Sequence, residues 1–138
     1  MKNTARFVLF ALLLATALMH LGCATSTTPE QDLEKRVHAY MTAKVEGDWQ
    51  LVYTFYDENF KSQVPKSYFS TTRDAQFPDY SIESIQMDPS GKKAVVQVKH
   101  SMTVGGLALE DITDTQNWVL ENKDWFLAAK PVAGILAD

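Results

Sequence analysis

Residues 80–130 read YSIESIQMDPSGKKAVVQVKHSMTVGGLALEDITDTQNWVLENKDWFLAAK, and along most of that length apolar and polar residues alternate. A period of two is the mark of a half-buried strand. The run is interrupted at Asp88-Pro89-Ser90-Gly91, at Gly105-Gly106 and at Glu121-Asn122-Lys123-Asp124, each a turn by composition. The spacing therefore predicts strands over Tyr80–Met87, Lys93–Val104, Leu107–Leu120 and Trp125–Lys130. Strands joined by turns this short are antiparallel neighbours, so the segment predicts a meander with one covered face.

Upstream the period is helical. Thr28-Pro29-Glu30-Gln31 combines a capping threonine, a proline suited to the first helical position and a glutamine three residues on. Leu33, Val37, Tyr40 and Met41 then recur at helical spacing, Gly47 stops the helix, and Asp48 caps a second. That second helix is expected to carry Trp49, Val52, Tyr53, Tyr56 and Phe60, with a further helical turn or two over residues 65–72. The segment FKSQVP at 60–65 leaves room for no more than a vestigial strand, so four full strands are expected. The fold class is α+β, with N-terminal helices packed in the concave face of a curved antiparallel meander sheet.

The residues VHAYMTAKVEGDWQLVYTFYDENF at 37–60, SYF at 67–69, AVVQV at 94–98 and NWVLENKDWFL at 117–127 carry a resemblance. A Gly-Asp-Trp at a helix junction and a meander closing on an aromatic pair resemble the nuclear transport factor 2-like superfamily (cystatin-like α+β, including SnoaL-like proteins). The likeness spans most of residues 30–130. It implies a cone whose mouth holds a ligand or substrate in some members, and a sheet face through which many of them dimerise. It implies no particular activity.

The chain has 138 residues, 13 Lys and Arg against 17 Asp and Glu, and one cysteine. That length suffices for one domain. A single cysteine excludes an intrachain disulfide framework and a Cys-rich zinc site. The acidic balance argues against nucleic acid as partner. Lys2 and Arg6 precede the uncharged run FVLFALLLATALM at 7–19, too short to span a bilayer and suited to the apolar centre of an export signal. Leu21-Gly22-Cys23 then resembles a bacterial lipobox, with His20 where such boxes usually carry an aliphatic residue. The resemblance implies cleavage before Cys23 and acylation of its thiol, which gives firm membrane attachment when two or three chains are added. By resemblance to the lipoprotein sorting rule of enteric bacteria, Ala24 after the cysteine implies the outer membrane, facing the periplasm. The expected organisation is a signal peptide at 1–22, the acylated Cys23 and a tether to 29, one domain at 30–131, and a tail at 132–138. Loss of 1–22 removes Lys2 and Arg6 and leaves 11 basic against 17 acidic side chains. Such a body is not itself a reader of anionic lipid, so attachment rests on Cys23.

Candidate site residues follow from strand parity. On Lys93–Val104 the even positions Ala94, Val96, Val98, His100, Met102 and Val104 share a face. On the next strand Ile112, Asp114, Gln116, Trp118 and Leu120 do so. The set expected to line a ligand pocket is His100, Met102, Asp114, Gln116 and Trp118. His100 beside Asp114 would make a base and its orienting partner, with Tyr40 or Tyr53 as hydrogen-bond donor, the constellation of a proton-transfer enzyme of isomerase or dehydratase type. A one-residue bulge within Glu110–Asp114 would instead turn Asp114 outward. His38 is expected on the solvent side of the first helix, and Asp57-Glu58 and Glu110-Asp111 at solvated ends. No metal spacing, phosphate-binding glycine loop or Gly-x-Ser-x-Gly elbow occurs. The expected function is a non-catalytic module without cofactor, binding a small apolar ligand in the cone or a protein partner. Homodimerisation would use the open sheet face, with Val95 and Val119 outward. The enzyme and a purely structural envelope protein, its cone filled by aromatic side chains, are the alternatives.

Overall fold

The computed structural model of the chain describes residues 27–69 and 75–130. The expected export signal at 1–22, Cys23 and the expected tail at 132–138 lie outside the described residues, as does the end of the expected helical turn at 65–72.

Helix α1 spans Pro29–Glu46 and is closed at both ends by the residues that predict it. Thr28 Oγ1 accepts from the Gln31 N–H while Gln31 Oε1 accepts from the Thr28 N–H, a complete capping box. Gly47 ends the helix at φ +71°, a left-handed conformation that glycine adopts without strain. Leu33, Val37, Tyr40, Met41 and Ala43 form the buried stripe. Asp48 then caps α2, Trp49–Thr54, accepting from the Leu51 N–H at 2.9 Å.

The expected second helix running on to Phe60 is broken. After α2 the chain straightens at Tyr56, which bridges Leu127 in parallel: Leu127 N–H donates to Phe55 C=O at 2.7 Å, and Asp57 N–H to Leu127 C=O at 3.1 Å. A new helix, α3, starts at Glu58 and ends at Gln63. Asp57, 8% exposed, caps it by accepting from the Phe60 N–H at 2.8 Å. It is thus a buried cap and not part of a solvated end, while Glu58 is exposed. A 3₁₀ turn, Lys66–Phe69, follows.

The sheet comprises β1 (Ala75–Gln76), β2 (Tyr80–Met87), β3 (Lys93–Val104), β4 (Leu107–Glu121) and β5 (Asp124–Leu127), all antiparallel. β1 and β2 share one side of β3, against its end and its body respectively, and β4 and β5 follow on the other. β5 is shorter than the expected Trp125–Lys130: among the described residues its ladder to β4 ends at the bond from the Ala128 N–H to Asn117 C=O. Both two-residue hairpin loops carry positive φ at each central position, at Gly105-Gly106 and at Asn122-Lys123, which matches the twist of the flanking strands.

Two bulges set the facing of the strands. Glu83 is extra between Ile82 and Ser84, so Ile82 and Ile85 both turn toward the helices although they are three residues apart. The second lies where His100 faces Ile112 and Met102 faces Leu109, leaving Glu110-Asp111 opposite Ser101 with Asp111 at φ +58°. The core between helices and sheet is built on Val96, Val98, Trp118, Leu33, Val37 and Met41, each at most 1% exposed. Full burial of each such side chain contributes on the order of 1.5–3 kcal/mol. Arg36 ties α1 to β5, its Nε donating to Trp125 C=O at 3.1 Å and its guanidinium lying 4.4 Å from the Phe55 ring centroid.

Candidate functional site

The two central strands supply the concave face unequally. β3 contributes Ala94, Val96, Val98 and His100, all buried. β4 contributes Trp118, Gln116, Asp114 and Ile112, set directly opposite them in that order. The bulge at Glu110-Asp111 lies upstream of Asp114, so Asp114 keeps the parity of Trp118 and stays on the concave side, half-buried. The bulge changes the parity of Leu109 and Leu107 instead. They join the row of Met102 and Val104 beyond the helices, where Leu107 is 64% and Leu109 40% exposed.

Along β4 the polar side chains form a continuous seam. Trp118 Nε1–H donates to Gln116 Oε1 at 3.1 Å, and Gln116 Nε2 donates to Asp114 Oδ2 at 3.1 Å while facing Met41 Sδ at 3.6 Å. Every interior polar atom of this chain of bonds is thereby partnered, as burial demands. The seam opens into a cavity of about 730 Å³ lined by Tyr40, Tyr56, Asp114, Gln116, Leu127 and Lys130. The Tyr40 and Tyr56 hydroxyls lie 3.5 Å apart, and the Tyr40 ring packs edge-on against Trp118.

His100 is 6% exposed, and its Nδ1 has no hydrogen-bond partner among the described residues. It sits diagonally from Asp114 across the β3–β4 ladder, facing Ile112, and no hydrogen bond joins the two. Burial, then the Lys44 cation, hold its pKa below the ordinary 6.5, against the opposing pull of the Ser101 backbone and the Asp114 and Asp79 carboxylates. Burial likewise lowers Lys44, with Asp114 opposing. The Lys44 ammonium rests 4.1 Å from the Phe77 ring centroid, and Phe77 in turn contacts His100 at 5.4 Å. Lys44, Trp49 and Phe77 also line a second cavity, of about 620 Å³, at the junction of α1 and α2.

Of the residues singled out in the sequence, Asp114, Gln116, Trp118 and Tyr40 come together around the seam. His100 stands next to them, and Met102 is half-buried further along β3. Tyr53 is elsewhere, its hydroxyl donating to Val64 C=O at 3.0 Å beside α3. His38 is exposed as expected, sharing a hydrogen bond of 2.9 Å with the Tyr80 hydroxyl. Val95 and Val119, on the convex face, are half-buried. Sequence reasoning missed Lys44, a charged residue on a helix whose apolar stripe alone was followed, and Phe77, which precedes a proline outside the strand pattern. Among the described residues no three His, Cys, Asp or Glu side chains gather as metal ligands would.

No family model and no curated protein matches the sequence. Solved structures do match the fold. A SEC-C motif-containing protein from Psychrobacter arcticus superposes with a TM-score of 0.61 at 12% identity, over 81% of this chain and 67% of that one. A protein from Exiguobacterium sibiricum, described as a Ca/calmodulin-dependent kinase II association domain, superposes at 0.56 with 13% identity, over 77% and 97%. One from Campylobacter jejuni, described as an NTF2-like transpeptidase, reaches 0.48 with 12% identity over 72% and 99%, an overlap too loose to argue from. The likeness of the first two shows an α+β fold of helices on a strongly curled antiparallel sheet, and it extends to the fold alone.

Proposed function

We propose that this chain is a lipid-anchored protein of the bacterial envelope whose domain, related to the SnoaL-like proteins, is a non-catalytic binding module. The observation that carries the binding reading is the seam from Trp118 through Gln116 to Asp114, which ends at an open cavity beside Tyr40 and Tyr56. A buried amide that bonds both an indole and a carboxylate fixes where that carboxylate stands, and a concave site with a few fixed polar groups is what a binding pocket requires. The cavity's polar lining favours a ligand with a polar or cationic group over the wholly apolar one that the sequence suggests. Lipobox-like Leu21-Gly22-Cys23 supports attachment through Cys23 at the outer membrane, facing the periplasm.

Native mass spectrometry of the full-length protein, released gently from the membranes of the cell that makes it, tests both halves. The expected mass is that of a chain cleaved before Cys23 and acylated, carrying a dissociable adduct that Asp114→Asn weakens. An unmodified Cys23 removes the anchor. A bare acylated chain, with no adduct and no stabilisation by any amine or metabolite mixture, removes the ligand site.

A further inference from the structure

Lys44 is held unlike the lysines that meet a carboxylate. Lys61 lies 3.2 Å from Glu58 and Lys99 2.8 Å from Asp111. The Lys44 ammonium has ring faces against it instead, with the Phe77 centroid at 4.1 Å and that of Tyr40 at 5.5 Å. Among the described residues it forms no ion pair and donates no hydrogen bond, and Asp114 pulls on it from beyond ion-pair distance. A lysine ordinarily lays its stem on apolar surface and carries its head out to water. Here burial outweighs the pull of the carboxylate and favours the neutral amine. The free base is the nucleophile, and its share near neutral pH rises about tenfold for each unit by which a lysine pKa falls.

This amine borders open space. Among the described residues the cavity of about 620 Å³ at the junction of α1 and α2 is lined by Lys44 together with Trp49, Phe69, Phe77 and Pro78. Phe69 and Phe77 are buried walls, and the Trp49 ring stands edge-on to Phe77 at 6.0 Å. The other charges on the lining are the carboxylates of Glu46 and Asp48, both exposed residues. Such a lining suits a guest with an apolar body and no negative charge.

We propose that Lys44 captures an uncharged aldehyde in this cavity as an imine, with the apolar body of the aldehyde among Trp49, Phe69 and Phe77. The free amine adds to the carbonyl carbon. The carbonyl oxygen then leaves with the two amine hydrogens as water, a C=N bond replaces C=O, and no oxidant or reductant is needed. A protonated imine keeps the positive charge that the faces of Tyr40 and Phe77 hold and that Asp114 attracts. An acylated or carbamylated Lys44 would lose that charge, so the surroundings favour a carbonyl compound over an acyl donor. Hydrolysis reverses the step, and the site holds its guest without turning it over. This cavity is separate from the one beside Asp114, so either reading can fail alone.

Reductive trapping tests the capture on the full chain in detergent near neutral pH. The probe is 2-naphthaldehyde with cyanoborohydride, which reduces the imine and spares the aldehyde, and the labelled lysines are read by peptide mass spectrometry. Lys44 should be labelled about tenfold faster, or more, than the exposed Lys92, Lys93 and Lys123. In Lys44→Met the label should be confined to those slow sites. An excess of 2-naphthalenemethanol, the same body without the carbonyl, should slow Lys44 severalfold and leave the surface lysines unaffected. Trp49→Leu should slow it similarly, while labelling of Lys44 by formaldehyde, which has no body to seat, stays as in the parent. Labelling in order of exposure, with Lys44 no faster than the surface lysines, overturns the inference. A fast Lys44 that neither the alcohol nor Trp49→Leu slows has no seat for the guest and overturns it too.

Discussion

Replacing Gln116 by leucine isolates the seam. Gln116 is 3% exposed and Trp118 1%. In the variant the indole Nε1–H of Trp118 loses its acceptor in a place water does not reach, which costs about 1–3 kcal/mol. The bond from Gln116 Nε2 to the Asp114 carboxylate also goes, worth about 1.5–3 kcal/mol for a charged acceptor. Leucine returns about 1 kcal/mol of apolar burial, since much of the glutamine stem is already covered. The net loss is about 3 kcal/mol, or roughly 12–24 °C in melting midpoint for a domain near 100 residues. Urea unfolding followed by far-UV circular dichroism reads it directly, with the m-value checking that the compactness of the end states is unchanged. Trp118→Phe completes a double-mutant cycle. Phenylalanine has no N–H to strand, so Gln116→Leu should cost about 1–2 kcal/mol less in that background. A loss below about 1 kcal/mol at constant m, or strict additivity in the cycle, would refute the reasoning.

Two further perturbations are sharp enough to fail. Because burial and Lys44 keep His100 below 6.5 in the folded state, the unfolded chain takes up its proton first as pH falls. Stability should therefore drop as pH falls below about 6.5, and His100→Gln should flatten that drop in midpoints measured from pH 8 to pH 5; parallel curves would exclude it. Asp57→Ala should cost about 1–2 kcal/mol and Asp48→Ala less, since both cap helices but only the Asp57 cap is buried. The reverse order in urea midpoints contradicts the account of the α2–α3 break.

What the sequence disclosed and what it withheld divide along a physical line. β3 was legible residue by residue, because strict alternation from Ala94 to His100 has one solution when one face is buried. The ends of α1 were equally legible, since Thr28, Gln31 and Gly47 act within a few residues of themselves. The break after α2 was not. Tyr56 and Phe60 keep helical spacing, and what straightens the chain is a bridge to Leu127, 71 positions away. Asp57 carried a local signal, an acidic cap directly before Glu58, but adjacent acids read equally well as solvated. A bulge near Asp114 was legible as a possibility in Glu110–Asp114, while its position, which decides facing, depends on the pairing of Ser101. For the site, parity brought Asp114, Gln116 and Trp118 together. The Tyr53 hydroxyl belongs to Val64, and Lys44 reaches the site only because Phe77 gives its ammonium a surface to lie on.

Three departures from an ordinary meander fall on a single strand, and each has a separate cause. The inward row of β4 is polar where that of β3 is apolar, a matter of side-chain identity at Asp114 and Gln116. Its outer edge has no partner at Thr113 and Thr115 among the described residues, the ladder to β5 ending at the bond from the Ala128 N–H to Asn117 C=O. Its register shifts at Glu110-Asp111, a matter of local backbone. A packed core requires none of these. Apolar side chains in place of Gln116 and Asp114, with phenylalanine for Trp118 so that no indole N–H is stranded, would stabilise the fold as well, because desolvating a carboxylate and an amide offsets much of what their bond returns. An edge closed by a longer β5 would aggregate less. The bulge supplies the link, since without it Asp111 and the paired Lys99 would not mark the end of the open stretch. Among the described residues the polar row, the unpaired backbone and the bulge that bounds it thus fall on one short stretch of β4, next to the cavity lined by Tyr40, Tyr56 and Asp114.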